Sequence, residues 1–385
     1  MDEHDLIKRL AAMDRASCSA GELEAAQLIA AELRRHGVEA VVERPRVHGT
    51  YWWPWVITST TGLLAARAAR AGRRGVAVAL AALATAAVVD DINAGRRWLR
   101  AVLPKRSTAN VLAWVGDPTA RSTLIVVAHH DAAHTGIFFN PAITDALSRR
   151  AHWSAEAQAP PIMLPLALGP GLCAIGALPG LRRLADLGRL VCAGIILSVL
   201  NIAGSPTVPG ANDNLTGVAI LVGLARRLQS EPIAGLRVLL LSTGAEEALM
   251  DGMHAFARDH LATLDPTCTH VLCVDSVGSS QLTLAEEQGM LRLVTHDPDL
   301  NRLVSECAQD AGIPLRRGLR MRFGTDGYIS ARRGFPTALL MSLDDHGFSS
   351  NYHWPTDTPD RIDQRTLEHA FELCERVVRR LATGP

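Results

Sequence analysis

The chain has 385 residues with 39 basic and 39 acidic side chains, so its formal net charge at neutral pH is zero. This balance lacks the basic excess of a nucleic-acid-binding protein and favours an enzyme or a small-ligand-binding domain. The length allows roughly two domains or one large α/β domain with insertions. The seven cysteines are scattered without close pairs, which argues against a disulfide framework and against a CxxC zinc site.

The first predicted elements are a pair of helices followed by a strand. The segment MDEHDLIKRLAAMDRAS is charged and amphipathic, and it lacks the apolar core of a cleavable signal peptide. Residues 4–37 carry apolar side chains at helical spacing, with a break and an N-cap near Ser19 and an end at Gly37. The run VEAVVE that follows predicts a strand.

Farther along the chain, apolar runs alternate with amphipathic segments. Five short runs rich in Val, Leu and Ile are bounded by turn residues: ANVLAWVG, STLIVVAHH, LRVLLLSTG, HVLCVDSVG and PTALLMS. They predict buried strands, whereas residues 217–230 and 360–383 predict amphipathic helices. The alternation favours an α/β fold with a helix-covered, mostly parallel mixed sheet.

Four apolar segments interrupt this pattern, at residues 51–66, 75–89, 162–181 and 190–205. The basic stretch RAARAGRR separates the first two and RRLADLGR separates the other two, which predicts two apolar helical hairpins with arginines at their tips. A membrane-spanning helix needs about 20 apolar residues, and three of the four segments are shorter. Two interpretations stay open: a helical bundle embedded in or docked on a membrane, and a hydrophobic cap or dimer surface.

Side chains able to bind a metal stand at the carboxyl ends of four predicted strands, which is where open α/β sheets bind their ligands. The strand ends carry His129, His130 and Asp131; Glu246 and Glu247; Asp275; and Asp344, Asp345 and His346. Asp213 stands in a polar turn before a helix, and His353 stands in a loop. One such residue alone is more often structural, but this many at strand ends favour a shared metal site.

The residue types indicate which chemistry such a site would support. Imidazole and carboxylate ligands without thiolate suit zinc or a similar divalent ion, and a pair of such ions needs a bridging carboxylate. Of the adjacent Glu246 and Glu247, one can bind metal while its neighbour moves a proton. This combination is what a metal-dependent hydrolase requires.

Five motifs, in their order along the chain, resemble those of the M28 family of zinc aminopeptidases. They are AHHDA, NDNLTGVA, GAEEALMDG, VDSVG and YHWPTDTPD, and the resemblance covers residues 5–50, 107–137 and 207–383. It implies the zinc-exopeptidase type of α/β fold. Residues 1–50, 107–137 and 207–385 would form the zinc peptidase domain, and residues 51–106 and 138–206 an inserted apolar helical region.

The resemblance implies a site for two zinc ions with five protein ligands. Asp213 is expected to bridge the two ions, and the peptide bond between Asp213 and Asn214 is expected to be cis. The remaining ligands would be divided between the ions, with His129 and Asp275 on one and Glu247 and His353 on the other.

Further residues receive roles from the resemblance and from strand alternation. Glu246 is expected to act as general base and acid. Asp131 shares a strand face with His129 and is expected to orient its imidazole, whereas His130 points to the other face and is expected to be structural. The family's Ser-Asp-His motif is replaced here by Thr-Asp-Gly at residues 325–327, and the adjacent Tyr328 is a candidate for polarising the scissile carbonyl.

The activity that follows is metal-dependent hydrolysis that removes N-terminal residues from peptide substrates. A glutaminyl-cyclase-like transferase with a single zinc ion is an alternative, and a non-catalytic, receptor-like domain of the same fold is another. A receptor-like domain would be expected to have lost ligands. No nucleic-acid partner is expected. The apolar insertions predict membrane association, and without it a cytoplasmic location.

Overall fold

The computed structural model describes residues 3–143, 162–345 and 347–384. The helices named here are α1 (Glu3–Ala11), α2 (Ala20–Arg35), α3 (Trp52–Arg70), α4 (Arg74–Ile92), α5 (Trp98–Val102), α6 (Leu164–Ile175), α7 (Arg182–Ala203), α8 (Thr216–Ser230), α9 (Asp251–Asp259), α10 (Pro298–Ala311), α11 (Asp326–Arg332) and α12 (Gln364–Ala382). The strands are β1 (Ala40–Glu43), β2 (Arg46–Val47), β3 (Arg106–Ser107), β4 (Asn110–Gly116), β5 (Thr123–His129), β6 (Arg237–Thr243), β7 (Thr269–Asp275), β8 (Gln281–Gln288), β9 (Val294–Thr295), β10 (Arg316–Met321) and β11 (Thr337–Leu343).

A nine-stranded mixed sheet forms the centre of the fold, in the order β1-β4-β6-β5-β7-β11-β8-β10, with β9 paired to β8. The four strands β6, β5, β7 and β11 run parallel, and antiparallel pairs extend the sheet on both sides. The predicted α/β fold with a mostly parallel mixed sheet is therefore confirmed. All six apolar runs interpreted as strands are strands of this sheet.

Two layers of helices cover the sheet, and strand alternation divides the core between them. In β5, Leu124 and Val126 join the core under α1, α2, α8, α10 and α12, whereas Ile125 and Val127 join the core on the opposite face. This opposite core includes α9 and α11 and also side chains from the apolar helices, such as Trp55 and Leu166. Because successive strand residues point to opposite faces, an entirely apolar strand is needed to fill both layers.

Among the strands longer than two residues, β8 and β10 were not predicted from the sequence. The segment QLTLAEEQ of β8 mixes charged and apolar residues, and RRGLRM of β10 lies at the edge of the sheet with only Met321 buried. Neither segment needs the continuous apolar run that identifies a strand buried on both faces. The helix ends agree better with the sequence, since the Ser19 hydroxyl accepts a hydrogen bond from the Glu22 amide at 3.0 Å and caps α2.

The four apolar segments form helices α3, α4, α6 and α7, which pack against one another as a bundle. We call these four helices the apolar bundle. Small residues allow close approach, since a Cβ atom at Gly188 of α7 would lie 2.7 Å from the Gly169 carbonyl oxygen of α6. An ion pair between Arg70 and Asp186 joins the two hairpins, so the two insertions pack together.

The second hairpin turns at a different place from the one predicted. The stretch RRLADLGR, expected at the tip, lies within α7, and the turn falls at residues 176–181 instead. This turn contains Pro179 and Gly180, whose φ of 81° favours glycine. Arg189 is consequently a helix residue rather than a tip residue.

The outer surface of the apolar bundle is rich in aliphatic side chains. On α7, Leu190 is 71% exposed and Leu197 is 70% exposed, whereas Cys192 and Val199 point inward and are buried. Within the described residues, α4 and α7 are the two helices that are long and apolar enough to cross a membrane by length and composition. The division of the chain into a peptidase domain and an inserted helical region stays a prediction.

Ion pairs attach the apolar bundle to the sheet domain. Asp91, near the end of α4, accepts a hydrogen bond from Arg100 Nε at 2.5 Å. The same guanidinium donates to the Ala248 carbonyl at 2.8 Å and lies 3.4 Å from an Asp251 carboxylate oxygen. Arg97 lies 2.7 Å from the other Asp251 oxygen. The buried end of α4 is therefore linked by charged groups to the loop that follows β6.

Candidate metal centre

Neighbouring parallel strands bring the predicted ligands to one edge of the sheet. His129 ends β5 and Asp275 ends β7, while Glu246 and Glu247 follow β6. Asp213 stands just before α8 and His353 stands in the loop after β11. All five predicted ligands and the predicted base lie in one cluster. Each of these side chains has an atom 3.1–4.0 Å from an atom of another member.

The Asp213 carboxylate lies at the centre of this cluster. Its Oδ1 atom is 3.1 Å from His129 Nε2, and its Oδ2 atom is 3.4 Å from His353 Nε2. Each carboxylate oxygen therefore faces a different imidazole. Glu247 Oε2 lies 3.1 Å from His353 Nε2, and Asp275 Oδ2 lies 4.0 Å from His129 Nε2. Asp213 thus lies between the two histidines, and the division of the ligands that the resemblance implies stays a prediction.

The donor atoms fit a divalent metal of the zinc type. Two nitrogen or oxygen ligands about 2.0–2.2 Å from one tetrahedral ion lie roughly 3.3–3.5 Å apart. The observed separations of 3.1 and 3.4 Å from Asp213 to the histidines are close to this value. Among the described residues, the buried Glu247 Oε1 and His353 Nδ1 atoms have no hydrogen-bond partner. His129, Asp213 and Glu247 offer three ligand atoms within 4.8 Å of one another, a group able to hold a metal ion.

Asp131 supports both His129 and the glutamate pair. Its Oδ1 atom lies 3.5 Å from His129 Nδ1 and accepts a hydrogen bond from the Glu246 amide at 3.0 Å. Its Oδ2 atom accepts hydrogen bonds from the Glu247 amide at 3.1 Å and from the Ser17 hydroxyl at 2.6 Å. The carboxylate thus fixes the backbone that carries both glutamates, a function that the sequence did not suggest.

The backbone around Asp213 is held from three directions. The Asp213–Asn214 peptide bond is cis, as the family resemblance implied. The Asp357 carboxylate accepts hydrogen bonds from the Asn212 amide at 2.7 Å and from the Asp213 amide at 3.1 Å. The Asn214 side chain donates to the Val274 carbonyl at 2.9 Å, next to Asp275 on β7. Gly217 permits this packing, because a Cβ atom there would lie 2.7 Å from the same carbonyl oxygen.

Burial and mutual repulsion control the protonation of the site. Burial raises the pKa of Asp275 to about 6, with the Asp213 carboxylate adding to the shift. Burial also raises the pKa of Glu246 well above its ordinary value, and the nearby Glu247 adds to this. Although burial opposes a charge on His353, Glu247 and Asp213 raise the pKa of its imidazole to about 10. Several buried carboxylates so close together need cations beside them, and divalent metal would supply that charge.

Four residues of the site were missed from the sequence: Arg15, Ser17, Asp326 and Asp357. Arg15 is completely buried and donates to the carbonyl groups of His130 and Pro209, both at 2.9 Å. Asp326 accepts a hydrogen bond from the Thr243 hydroxyl, and burial raises its pKa to about 7. Two of them had a signal, since Asp357 belongs to the quoted motif YHWPTDTPD and Asp326 belongs to the Thr-Asp-Gly that replaces the family's Ser-Asp-His motif.

Several polar residues that drew attention in the sequence lie away from the metal ligands. The His130 imidazole contacts the Ser242 hydroxyl at 2.9 Å, in agreement with a structural role. Tyr328 is completely buried and donates from its hydroxyl to the Arg292 carbonyl at 3.3 Å, so its proposed part in carbonyl polarisation is wrong. Asp345 accepts a hydrogen bond from Gln281 on the surface, and His346 lies outside the described residues.

The fold is similar to the solved structures of a zinc exopeptidase, an aminopeptidase and a glutaminyl cyclase. The chain is 14% identical to a Zn-dependent exopeptidase from Parabacteroides distasonis, with a TM-score of 0.56 over 98% of this chain and 97% of that chain. It is 14% identical to an aminopeptidase from Aneurinibacillus sp., with a TM-score of 0.55 over 98% and 92%. It is 15% identical to a glutaminyl cyclase from Tannerella forsythia, with a TM-score of 0.58 over 98% and 97%. At such identities the likeness shows the fold alone.

The sequence comparison is more specific. Residues 198–378 match peptidase family M28, which confirms the predicted resemblance. No curated protein matches the chain in sequence. The family match and the His, Asp and Glu cluster together support a zinc-dependent hydrolase. The roles of individual site residues stay predictions.

Proposed function

We propose that the protein is a di-zinc aminopeptidase that removes N-terminal residues from peptides. One observation carries this proposal: the two Asp213 oxygens face two different histidines, at 3.1 and 3.4 Å. A carboxylate in this position suits two ions about 3.5–4 Å apart. In this proposal His129 and Asp275 complete one zinc site, and Glu247 and His353 complete the other.

Zinc ions held there would supply Lewis-acid chemistry, lowering the pKa of water and polarising the scissile carbonyl. Glu246 is the residue that moves protons. Its carboxylate accepts a proton from the attacking water, the water oxygen forms a bond to the carbonyl carbon, and the carbon–nitrogen bond breaks. Glu246 then returns the proton to the departing amine. The Glu246 side chain is 11% exposed, so it is largely but not completely shielded from bulk solvent.

Two glutamine variants test the division of the glutamate pair. Glu246→Gln should retain zinc and lose about 10²–10⁴-fold in kcat, the usual contribution of a general base. Glu247→Gln should lose zinc as well as activity, because its carboxylate is a ligand in the proposal. Metal content by mass spectrometry and hydrolysis of aminoacyl-nitroanilides provide the two measurements. Equal zinc loss in both variants would contradict the assignment.

A glutaminyl-cyclase-like transferase is the second candidate, favoured by the structural likeness to the Tannerella forsythia glutaminyl cyclase. It differs from the first in metal content, since it would use one zinc ion. Zinc titration of the purified protein therefore separates the two. Two ions per chain with hydrolysis of aminoacyl-nitroanilides favour the peptidase, whereas one ion with cyclisation of N-terminal glutamine favours the cyclase.

We also propose that the apolar bundle associates with a membrane. Exposed leucines on α7 and the length and composition of α4 and α7 support this. Trp52 and Trp53 at the start of α3 lie at the opposite end of the helix from Arg67 and Arg70, an arrangement typical of membrane interfaces. After cell fractionation the protein should stay in the membrane pellet through high-salt and carbonate washes. Recovery as a detergent-free soluble monomer would refute the proposal.

A further inference from the structure

A cavity of about 550 Å³ connects the candidate metal centre to the apolar bundle. Glu246, Glu247 and His353 line it at the metal centre. Beyond them its wall is formed by residues of α6 and α7 and the turn before α6, including Met163, Leu166, Val191, Ile195 and Val199. This volume lies in the range of small-molecule sites, roughly 300–1,000 Å³.

The two ends of the cavity differ in polarity. Besides the metal-centre residues, loops of the sheet domain contribute Ser349 and Asn351. In contrast, Ser198 is the one polar side chain among the lining residues between 162 and 202. A peptide backbone placed along that wall would leave its amide groups without hydrogen-bond partners. An aliphatic chain has no hydrogen-bonding groups that would be left unpaired at that wall, and a wall of this kind is a poor site for water.

The apolar bundle also positions the aromatic side chains over the metal centre. The Asn201 side chain of α7 accepts a hydrogen bond from the Ile137 amide at 2.8 Å. Directly after Ile137, Phe138 and Phe139 both line the cavity. The Phe139 ring lies 4.5 Å from the His353 ring, edge to face. The helices that form the apolar wall thus also fix the residues at its junction with the candidate ligands.

Most of the apolar end precedes the part of the chain that matches the peptidase family, and Val199 and Ile202 lie within it. The match begins at residue 198, whereas Met163, Leu166, Val191 and Ile195 precede it. A pocket for an ordinary N-terminal side chain would need only the end of the cavity next to Glu246, Glu247 and His353. The wall from α6 and α7 extends the apolar surface away from Glu246, Glu247 and His353.

We propose that this cavity binds a long, unbranched apolar chain carried by the N-terminal residue of the substrate. The substrate class is then a lipid-like amino acid amide or peptide. The polar amine and scissile amide lie at Glu246, Glu247 and His353, and the apolar chain lies between α6 and α7. This inference rests on the proposed aminopeptidase function and adds the substrate class of the same site.

Gly194 on α7 offers a way to shorten the cavity without disturbing the fold. It lines the cavity, and a Cβ atom built on it meets no atom within 4 Å. A leucine at this position would therefore occupy cavity space rather than collide with the protein. Gly171 on α6 is the matched control, because its Cβ atom would meet only Thr85 at 3.9 Å and it does not line the cavity.

The first test measures kcat/KM of the zinc-loaded, full-length protein with aminomethylcoumarin amides of straight-chain 2-amino acids from four to twelve carbons. The kcat/KM value should rise about fourfold with each added methylene until the cavity is full. This ratio corresponds to the ~0.8 kcal/mol gained by burying one methylene group. Gly194→Leu should lower the ratio of twelve-carbon to four-carbon kcat/KM at least tenfold. Gly171→Leu should keep the wild-type ratio.

The second test does not depend on turnover. A 2-aminododecanoic amide with a diazirine at the chain end is bound to Glu246→Gln protein, irradiated and located by peptide mapping. Labelling should fall on lining residues such as Leu166 and Ile195, and Gly194→Leu should abolish it. Labelling confined to the outward Leu190 and Leu197 would overturn the proposal, because the chain would then lie in detergent or lipid.

The outcomes separate this inference from the function on which it rests. If no aminoacyl substrate of any length is hydrolysed with zinc bound, the aminopeptidase proposal fails. If short substrates are hydrolysed but specificity is flat or falls with chain length, the aminopeptidase stands and the apolar-chain inference is overturned. A rising series that Gly194→Leu leaves unchanged also overturns it, since the chain would be bound elsewhere.

Discussion

The carboxylate of Asp131 contacts residues of both candidate zinc sites. It accepts hydrogen bonds from the Glu246 amide at 3.0 Å, the Glu247 amide at 3.1 Å and the Ser17 hydroxyl at 2.6 Å. Replacement by asparagine preserves the size of the side chain but leaves one acceptor oxygen and introduces an NH2 group. In Asp131→Asn, one of the two glutamate amides must therefore face another donor.

Two effects determine the size of the loss. A buried amide left without an acceptor costs about 1–3 kcal/mol. A partner that orients a metal-binding histidine is worth about 10–100-fold in metal affinity or activity when it is removed. His129 Nδ1 is hydrogen-bonded to the Asp131 main-chain carbonyl at 3.2 Å, which asparagine retains, so the second effect acts only through the carboxylate oxygen 3.5 Å away. We expect Asp131→Asn to lower the free energy of unfolding by about 1–3 kcal/mol and kcat/KM by about 10–100-fold.

Chelator competition gives the zinc affinity, and urea unfolding of the metal-free protein gives the stability. Ser17→Ala is the matched control. It removes one hydrogen bond to Asp131 and leaves both glutamate amides paired, so zinc affinity should change little. An Asp131→Asn protein with the zinc affinity and kcat/KM of the wild type would refute the supporting function of the carboxylate.

Three further substitutions have defined outcomes. Asp213→Ala should weaken zinc binding at both sites in titration, because both histidines face its carboxylate; loss of only one ion would exclude a bridging role. Arg100→Ala should lower the unfolding free energy by about 3 kcal/mol in urea titration, because Asp91 and Asp251 would lose a buried partner; an unchanged midpoint would show that Arg97 suffices. Ser19→Ala should lower the free energy of unfolding by about 1 kcal/mol, because the α2 cap is lost. Ser19→Asp should retain the stability, and an equal loss in both variants would contradict the capping role.

The predicted strands and ligands share a property that makes them visible in the sequence. Strand β5 must be apolar on both faces, and His129 follows at its end, so a local pattern specifies both the element and the site residue. The same holds for β7 and Asp275. Local information sufficed wherever a strand is buried on both sides and its last residue points into the cluster.

The residues that sequence analysis missed act over long distances along the chain. Arg15 bonds to the carbonyl of His130, 115 positions away, and nothing in the segment MDRAS indicates that partner. Asp326 bonds to Thr243, 83 positions away. Strand β10 is equally hidden, because an edge strand with exposed arginines needs no apolar run. Such partners become visible only when the sheet brings distant segments together.

The apolar bundle is connected to the candidate active site as well as being the proposed surface for lipid. Asp91 of α4 is linked through Arg100 to the Ala248 carbonyl, one residue after Glu247. Asn201 of α7 holds the segment that places Phe139 against His353. A device for membrane attachment alone would need neither connection. Helices of the bundle form the wall of the cavity. The bundle is also connected to residues next to two candidate ligands, Glu247 and His353. This is the arrangement required to select a substrate at the metal centre.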